Sequence, residues 1–395
     1  MARARLALLT AAASLLLAGG ASAKVYIEWR PRMSLMGGYD DNVQLNGAGG
    51  DGFGQAVPGL KLDIFGDHNL HVDVDCQAGI ARLAHPEEFG ISSGAFAANE
   101  TCALGTRVHL STRDKLQLRT SATYAQDPFS IAGLGLLLRP GQTQIFVAKF
   151  QGLIEHALTG HSHFDYGLDG QALAFGAGDP GNGFVLAPQA RYAWKTSARG
   201  TWDVGMREQL FFAMGADPNP LAPKGSPGGL LDQAHSALLG YTYALAPWAN
   251  LTVRGGGMLV TGANDALMPT LRMSIESYQL DSALSVTVAH DLMIGPTSAG
   301  PQIADIAEVG WIRDWQHFGL HLRAGVYRNA GVTDAMQVGA LGYSTEAGVA
   351  WKFTRDLRLE FAGMRDARLN DVTVAQQVDR DVLQLRFVWE KARFE

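Results

Sequence analysis

The sequence predicts an all-β protein, a transmembrane antiparallel β-barrel of about 18 strands with short periplasmic turns and longer extracellular loops. Three observations predict it. Apolar and polar residues alternate along most of the chain after residue 30, short connections alternate with longer ones, and the tryptophans sit beside the short ones. Composition agrees. Glycine makes up 47 of 395 residues, above the usual ~7% and without a Gly-X-Y period, which favours a turn-rich β chain over collagen or a helical bundle. Charged residues are 18% and mean hydropathy is +0.00, too apolar for a disordered chain and too sparsely charged for an ordinary soluble surface. A net charge of −6 gives no basic excess to neutralise phosphates, so nucleic acid is excluded as a partner.

Residues 1–23 read as a secretory signal. Arg3 and Arg5 form a positive start, Leu6 to Ala18 an apolar run, and Ala21-Ser22-Ala23 a small-residue cleavage site. The apolar run is shorter than the ~20 residues that a spanning helix needs. Residues 24–395 then form one barrel domain in the outer membrane of a Gram-negative bacterium, because no later apolar run is long enough for an inner-membrane helix.

Segments such as Leu70-His71-Val72-Asp73-Val74-Asp75 and Leu383-Gln384-Leu385-Arg386-Phe387 show the period of a strand with different solvents on its two faces. Strands are expected near 31–45, 55–65, 69–83, 95–110, 115–125, 143–157, 162–175, 184–196, 201–214, 232–245, 249–261, 267–278, 281–294, 302–313, 318–329, 341–353, 357–366 and 380–392. Every second connection is short, as at Gly66-Asp67-His68, Gly160-His161 and Gln279-Leu280. The intervening ones, such as 127–142, 176–183, 215–231, 295–301 and 367–379, are mostly longer and rich in Gly, Pro, Asn and Asp. A soluble sandwich has no reason to sort its turns by parity, whereas an outer-membrane barrel does. Trp194, Trp202, Trp248, Trp311, Trp315 and Trp351 flank short turns, and Trp29 and Trp389 lie near the chain ends. With an even strand count all eight gather at one level, as a periplasmic interfacial girdle.

A spanning sheet must close, because hydrocarbon offers no partner to an open edge. Closure turns alternate residues inward. The expected lumen set is Lys61, His71, Asp73, Asp75, Arg119, Arg207, Arg254, Arg272, Glu276, Arg323, Glu346, Glu360 and Arg386. Such a wall either attracts hydrated or charged solutes or serves only as an ion-paired lining. Whether loop 127–142 or loop 215–231 folds inward as a plug stays open at this level. Cys76 and Cys102 are the two cysteines, and an exported protein permits their disulfide. As a symmetric hairpin about position 89 the flanking strands would oppose the two, the alternative being a pair of small apolar residues.

No catalytic motif is present: there is no Gly-x-Ser-x-Gly, His-Glu-x-x-His, Walker loop or Cys-x-x-Cys, so an enzyme is not expected. His161/His163 and His68/His71 sit at expected turns without a supporting ligand set, so neither metal nor cofactor is expected. Gly255-Gly256-Gly257 reads as a bend in a strand.

The stretch Tyr39-Asp40-Asp41-Asn42-Val43, followed by Pro58-Gly59-Leu60-Lys61, resembles a family of bacterial outer-membrane β-barrel porins associated with exopolysaccharide export loci, of the myxobacterial type. The resemblance implies an 18-stranded passage for secretion of a polysaccharide, partnered by a periplasmic polysaccharide export protein. Asp40, Asp41 and Asn42 would then meet sugar hydroxyls, bind a cation, or shape the adjoining loop. The alternatives are a general or solute-specific diffusion porin and a plugged structural or adhesive surface barrel.

Overall fold

The computed structural model describes residues 25–42, 49–67, 69–85, 97–125, 145–175, 182–213, 230–262, 265–295, 298–332, 340–371, 378–391 and 393–394. The expected signal, residues 1–23, lies outside them, as do Val43, His68 and the expected loops 127–142 and, but for its last two residues, 215–231. The strands are β1 (Tyr26–Asp40), β2 (Asp51–Gly66), β3 (Leu70–Leu83), β4 (Ala97–His109), β5 (Asp114–Ala125), β6 (Ile145–Thr159), β7 (Ser162–Ala174), β8 (Gly183–Lys195) and β9 (Gly200–Ala213). The second half contributes β10 (Leu230–Ala246), β11 (Ala249–Gly262), β12 (Ala266–Gln279), β13 (Ser282–Gly295), β14 (Ser298–Asp314), β15 (Phe318–Gly331), β16 (Ala340–Lys352), β17 (Leu357–Asp371) and β18 (Val378–Glu390), with a two-residue β19 (Arg393–Phe394).

Each strand pairs antiparallel with its chain neighbours, and β18 returns to β1 through Arg32↔Glu390 to Asp40↔Val382. The result is a closed 18-stranded barrel, with β19 prolonging the seam against Glu28 and Trp29. Closure satisfies the backbone along the whole ladder, which is the condition for crossing hydrocarbon.

Exposure shows which way the faces point. Along β18, Asp381, Leu383, Leu385, Phe387 and Trp389 are exposed while Val382 and Val388 are buried and Gln384 and Arg386 intermediate. The register carries this outer face to Leu35 and Tyr39 on β1, Phe361 on β17, Val349 on β16 and Leu322 and Val326 on β15, all exposed apolar or aromatic residues. Soluble proteins do not clothe a whole circumference this way. The band is bounded on both sides. Toward the short turns it ends at the tryptophans, of which Trp29, Trp194, Trp202, Trp311, Trp351 and Trp389 occupy outer-face positions and Trp248 and Trp315 lie in turns. Toward the other end it stops at outward polar residues, among them His290, Asp305 and Arg328 and, farther round, Arg365 and Asp381. This is a transmembrane β-barrel.

Two features of the ladder differ from expectation. β1 begins five residues before the expected 31–45 and ends at Asp40, because Pro31 does not stop it. Proline lacks a donor, and Pro31 sits opposite the interruption between β18 and β19, where it only accepts, from Lys391 N–H at 3.1 Å. Pro58 and Pro188 likewise fall at gaps in the β2–β3 and β8–β9 ladders. Second, the expected loops 295–301 and 367–379 are mostly strand: β13 and β14 stay paired up to Gly295↔Ser298, and β17 runs on to Asp371. The eight connections 67–69, 110–113, 160–161, 196–199, 247–248, 280–281, 315–317 and 353–356 are the short ones of one parity; the other parity holds the longer segments together with the short 263–265 and 296–297.

Candidate functional site in the lumen

The inner face follows from the same register. Lys61 pairs with Asp75, His71 with Arg107, Arg254 with Arg272, Arg323 with Glu346 and Glu360 with Arg386. Asp73, Arg119, Arg207 and Glu276 occupy the same face of β3, β5, β9 and β12. All thirteen expected lumen residues therefore lie on the face opposite the apolar band. Their partners lie outside the expected set: Arg32, Asp63, Asp203, Asp291, Glu308 and Arg358; Arg30 joins Asp63, and Arg191 and Asp165 form a further inward pair. Strict alternation applied outward from each chosen residue would have found several; Asp63 lies two places from Lys61.

Most of these charges are paired, and several pairs leap over a strand. Arg32 on β1 reaches Asp75 on β3 (Nη1 to Oδ2 3.2 Å) across Gly59 of β2. A Cβ on Gly59 would lie 2.6 Å from Arg32 Nε, so only glycine leaves room for the guanidinium to cross. Asp203 on β9 reaches Arg254 on β11 (Nε to Oδ1 3.2 Å) across Gly240 of β10, where a Cβ would meet the carboxylate at 2.5 Å. Gly59, the glycine of the family motif, thus has a mechanical role in the wall.

On the β12–β18 side the wall is recessed. Small residues Gly310, Gly319 and Ala350 form its floor, and charged side chains ring a cavity of about 740 Å³. Arg323 donates to Glu308 (2.6 Å), Lys352 to Asp314 (2.9 Å), and His321 Nε2 lies 3.2 Å from Glu346. Glu360, 11% exposed, accepts from both Arg358 (2.5 Å) and Arg386 (2.7 Å), whose side chains are 41% and 42% exposed. Two half-exposed guanidiniums over one buried carboxylate leave a net positive point. Asp314 and Lys352 border turns 315–317 and 353–356, so the recess lies at the short-turn end.

The opposite end of the lumen is narrowed by the far end of β13, within the expected strand 281–294, together with the start of β14. Pairing of β12 with β13 ends at Leu271↔His290, yet β13 continues to Gly295 still paired with β14. Freed from β12, the β13–β14 hairpin leans across the barrel toward β8, β9 and β10, which are not its ladder neighbours. Asp291 accepts from Arg207 Nη1 at 2.9 Å, and Gln209 Nε2 donates to the Leu292 carbonyl at 3.3 Å. Leu292 and Ile294 join a buried apolar cluster with Val147, Leu173, Phe211, Met258 and Val260, side chains of the inner wall. A β-barrel of this strand number would otherwise be open enough for a water-filled channel.

The motif residues serve the seam. Asp40, fully buried, accepts from Arg380 Nε at 3.0 Å, tying the end of β1 to the start of β18. Asp41 accepts from Asp381 N–H at 2.6 Å, and Asn42 donates to the Asp379 carbonyl at 2.7 Å. Tyr39 lies on the outer face. Cys76 and Cys102 are directly opposed on β3 and β4, 4.1 Å apart at Cα, and form a disulfide on the outer face. His71 stacks on Phe65 and lies 3.3 Å from Asp63, and His163 lies 3.6 Å from Asp165.

No family model and no curated protein matches the chain. Solved structures resemble it: Pseudomonas aeruginosa OccK9 (OpdG) at 12% identity, TM-score 0.47, covering 93% of this chain and 99% of that one. A BenF-like porin from Pseudomonas fluorescens Pf-5 gives 10%, 0.45, 95% and 99%, and Acinetobacter baumannii OccAB4 gives 9%, 0.44, 93% and 98%. At such values the barrel rests on this chain's own closed ladder, and no solute is transferred from those proteins. A closed antiparallel barrel with an apolar belt and a polar interior is an outer-membrane structure, and the chain is placed there.

Proposed function

We propose that the protein is a solute-selective diffusion channel of the Gram-negative outer membrane, with the short turns toward the periplasm. The observation that carries this reading is the β13–β14 hairpin folded against the inner wall through Arg207–Asp291 and Leu292/Ile294. A passage for a sugar polymer needs a clear bore, whereas a filter for small solutes needs a narrow one with fixed charges beside it. The paired charges keep the wall wet and rigid. Arg107, Arg119, Lys149 and Arg272 face the lumen with no ion pair among the described residues, and so do Asp73, Asp169, Glu276, Asp366 and Glu390, so fixed charges of both signs line the passage and suit hydrated, polar solutes. Catalysis has no part in this reading, and neither does a cofactor.

Export of a polysaccharide with a periplasmic export protein is the rival. Its motif residues Asp40, Asp41 and Asn42 are engaged in closing the barrel, which gives them a structural role that needs no sugar. Purified full-length protein in planar bilayers tests the proposal: discrete single-channel steps, and uptake of small solutes into proteoliposomes, are expected. A barrel that passes no ions would overturn it in favour of a plugged surface protein. Loss of surface polysaccharide on gene deletion, with no effect on small-solute uptake, would overturn it in favour of export.

A further inference from the structure

The outer surface carries a groove that the channel reading does not use. Two rows of ladder partners cross β14 to β18. One runs Val309, Ala324, Thr345, Arg365, Asp381 and the next, nearer the short turns, Trp311, Leu322, Ala347, Gly363, Leu383. Ala324, Thr345, Ala347 and Gly363 make a low floor. Val349, Phe361 and Leu385 rise as a ridge along one side, all about half exposed, and Val326 and Tyr343 bound the other. The cleft encloses about 730 Å³.

Its dimensions are those of one lipid chain. Five strands at ~4.8 Å spacing give a row of roughly 19 Å. Tilted by about 40°, the row climbs ~12 Å, most of one leaflet of a ~30 Å hydrocarbon core. The low end is apolar, closed by Trp311. The high end is polar: Arg365 Nε donates to the Tyr343 hydroxyl at 3.0 Å, and its Nη1 lies 3.5 Å from Asp381. Arg365 remains 49% exposed, on the rim where the apolar band stops. A guanidinium pinned by a tyrosine and facing outward at that level suits a phosphate, because Arg presents several donors in a fixed fork. Asp381, also half exposed, suits hydroxyl donors beside it. Phosphate next to sugar hydroxyls, above an acyl chain, describes a phosphorylated glycolipid.

We propose that this groove seats one acyl chain of a phosphorylated glycolipid of the outer leaflet, with its phosphate on Arg365 and its sugar hydroxyls on Asp381. The proposal rests on the membrane orientation given above and not on what the lumen conducts.

Full-length protein in detergent, mixed with bis-phosphorylated lipid A, dephosphorylated lipid A or phosphatidylglycerol, tests it by native mass spectrometry. One lipid A per barrel is expected. Arg365→Gln and Ala347→Phe should each weaken its retention tenfold or more, while Ala237→Phe, on the outer face of β10, should not. Dephosphorylated lipid A should bind the unaltered protein no better than lipid A binds Arg365→Gln. Both groove variants alter only the lipid-facing surface and should keep the single-channel conductance of the parent, so failure of the channel reading is read separately. Equal retention of lipid A by the parent and both groove variants overturns the proposal. So does equal retention of phosphatidylglycerol, or a dimer of barrels that Ala347→Phe dissociates.

Discussion

Replacing Asp291 by Ala removes one of three attachments that hold the β13–β14 hairpin across the lumen. The ion pair with Arg207 has a 2.9 Å contact between side chains 24% and 28% exposed. A charge-assisted hydrogen bond contributes about 1.5–3 kcal/mol when shielded and about 0–1 when exposed. In a wet lumen roughly 1 kcal/mol is the fair figure. Leu292 and Ile294, 4% and 0% exposed, contribute about 1.5–3 kcal/mol each, or roughly 3–6 together. Ordering entropy offsets little of this, because β13 and β14 stay hydrogen-bonded to each other whether the hairpin leans in or out. Asp291→Ala should therefore shift the in/out ratio by a factor of about five, at 1.4 kcal/mol per tenfold, and leave the hairpin mostly in. Leu292→Asn with Ile294→Asn should shift it by roughly a hundredfold or more. Single-channel recording separates the two: the single variant keeps the parent conductance with more frequent brief larger openings, whereas the double variant shows a persistently larger conductance. A persistent large step from Asp291→Ala alone would refute the assignment of the apolar contacts as the main latch. Unchanged current in the double variant would refute the hairpin as the constriction.

Other outcomes follow from the wall and the seam. Asp40→Ala removes the carboxylate facing buried Arg380 and should cost about 3–5 kcal/mol, read as a lowered urea midpoint for the folded, heat-modifiable band; a shift no larger than that of Asp41→Ala would count against the seam's dependence on this pair. Gly240→Leu forces Asp203 off Arg254 and should lower the same midpoint by about 1–3 kcal/mol, while Gly257→Leu, whose added Cβ meets nothing within 4 Å, should be near neutral. Arg119→Glu with Arg272→Glu should move the zero-current potential toward cation preference in a salt gradient, and an unmoved potential would place the selective region elsewhere. Reducing Cys76–Cys102, which closes a loop of sequence separation 26, should lower heat resistance by at most about 3.5 kcal/mol and leave conductance alone, since β3–β4 pairing already sets that register.

The barrel was legible because two solvents impose a period of two on every strand, and that period survives errors of a few residues in any single boundary. Orientation was legible for the same reason: Trp194 opposite Trp202 and Trp351 opposite Phe318 mark a boundary through side-chain chemistry alone. The seam was not. That Asp40 would meet Arg380, 340 residues away, depends on the ladder closing in one register, and nothing local in Tyr-Asp-Asp-Asn distinguishes a clasp from a sugar contact. The pairs that leap a strand were hidden likewise, because Gly59 and Gly240 read as weak points of a strand until the side chains above them are known. The inward course of the hairpin was hidden for a subtler reason. Residues 281–294 read as a strand, but nothing local says that pairing with β12 stops at His290, and the consecutive apolar run Leu292-Met293-Ile294 is what a strand shows when both faces leave the aqueous phase.

That run explains why the narrowing takes this form. A loop dropped into a water-filled barrel must satisfy its own backbone or pair with the wall, and irregular chain in that position leaves donors to solvent. A hairpin arrives with its ladder complete, so only its side chains need partners. The inner wall supplies them where its own alternation fails: Val147, Leu173, Phe211, Met258 and Val260 stand at lumen positions that elsewhere carry polar groups. Apolar residues facing a water-filled channel would be a cost without the hairpin, and an apolar hairpin tip would be a cost without them. Each makes sense of the other. The patch and the tip are one device written on five separate strands, β6, β7, β9, β11 and β13, and converting Phe211 and Met258 together to Asn should release the tip as fully as Leu292→Asn with Ile294→Asn does. Combining both double variants should then add little further current, since a latch already open cannot open again; additive currents would show two independent narrowings instead of one.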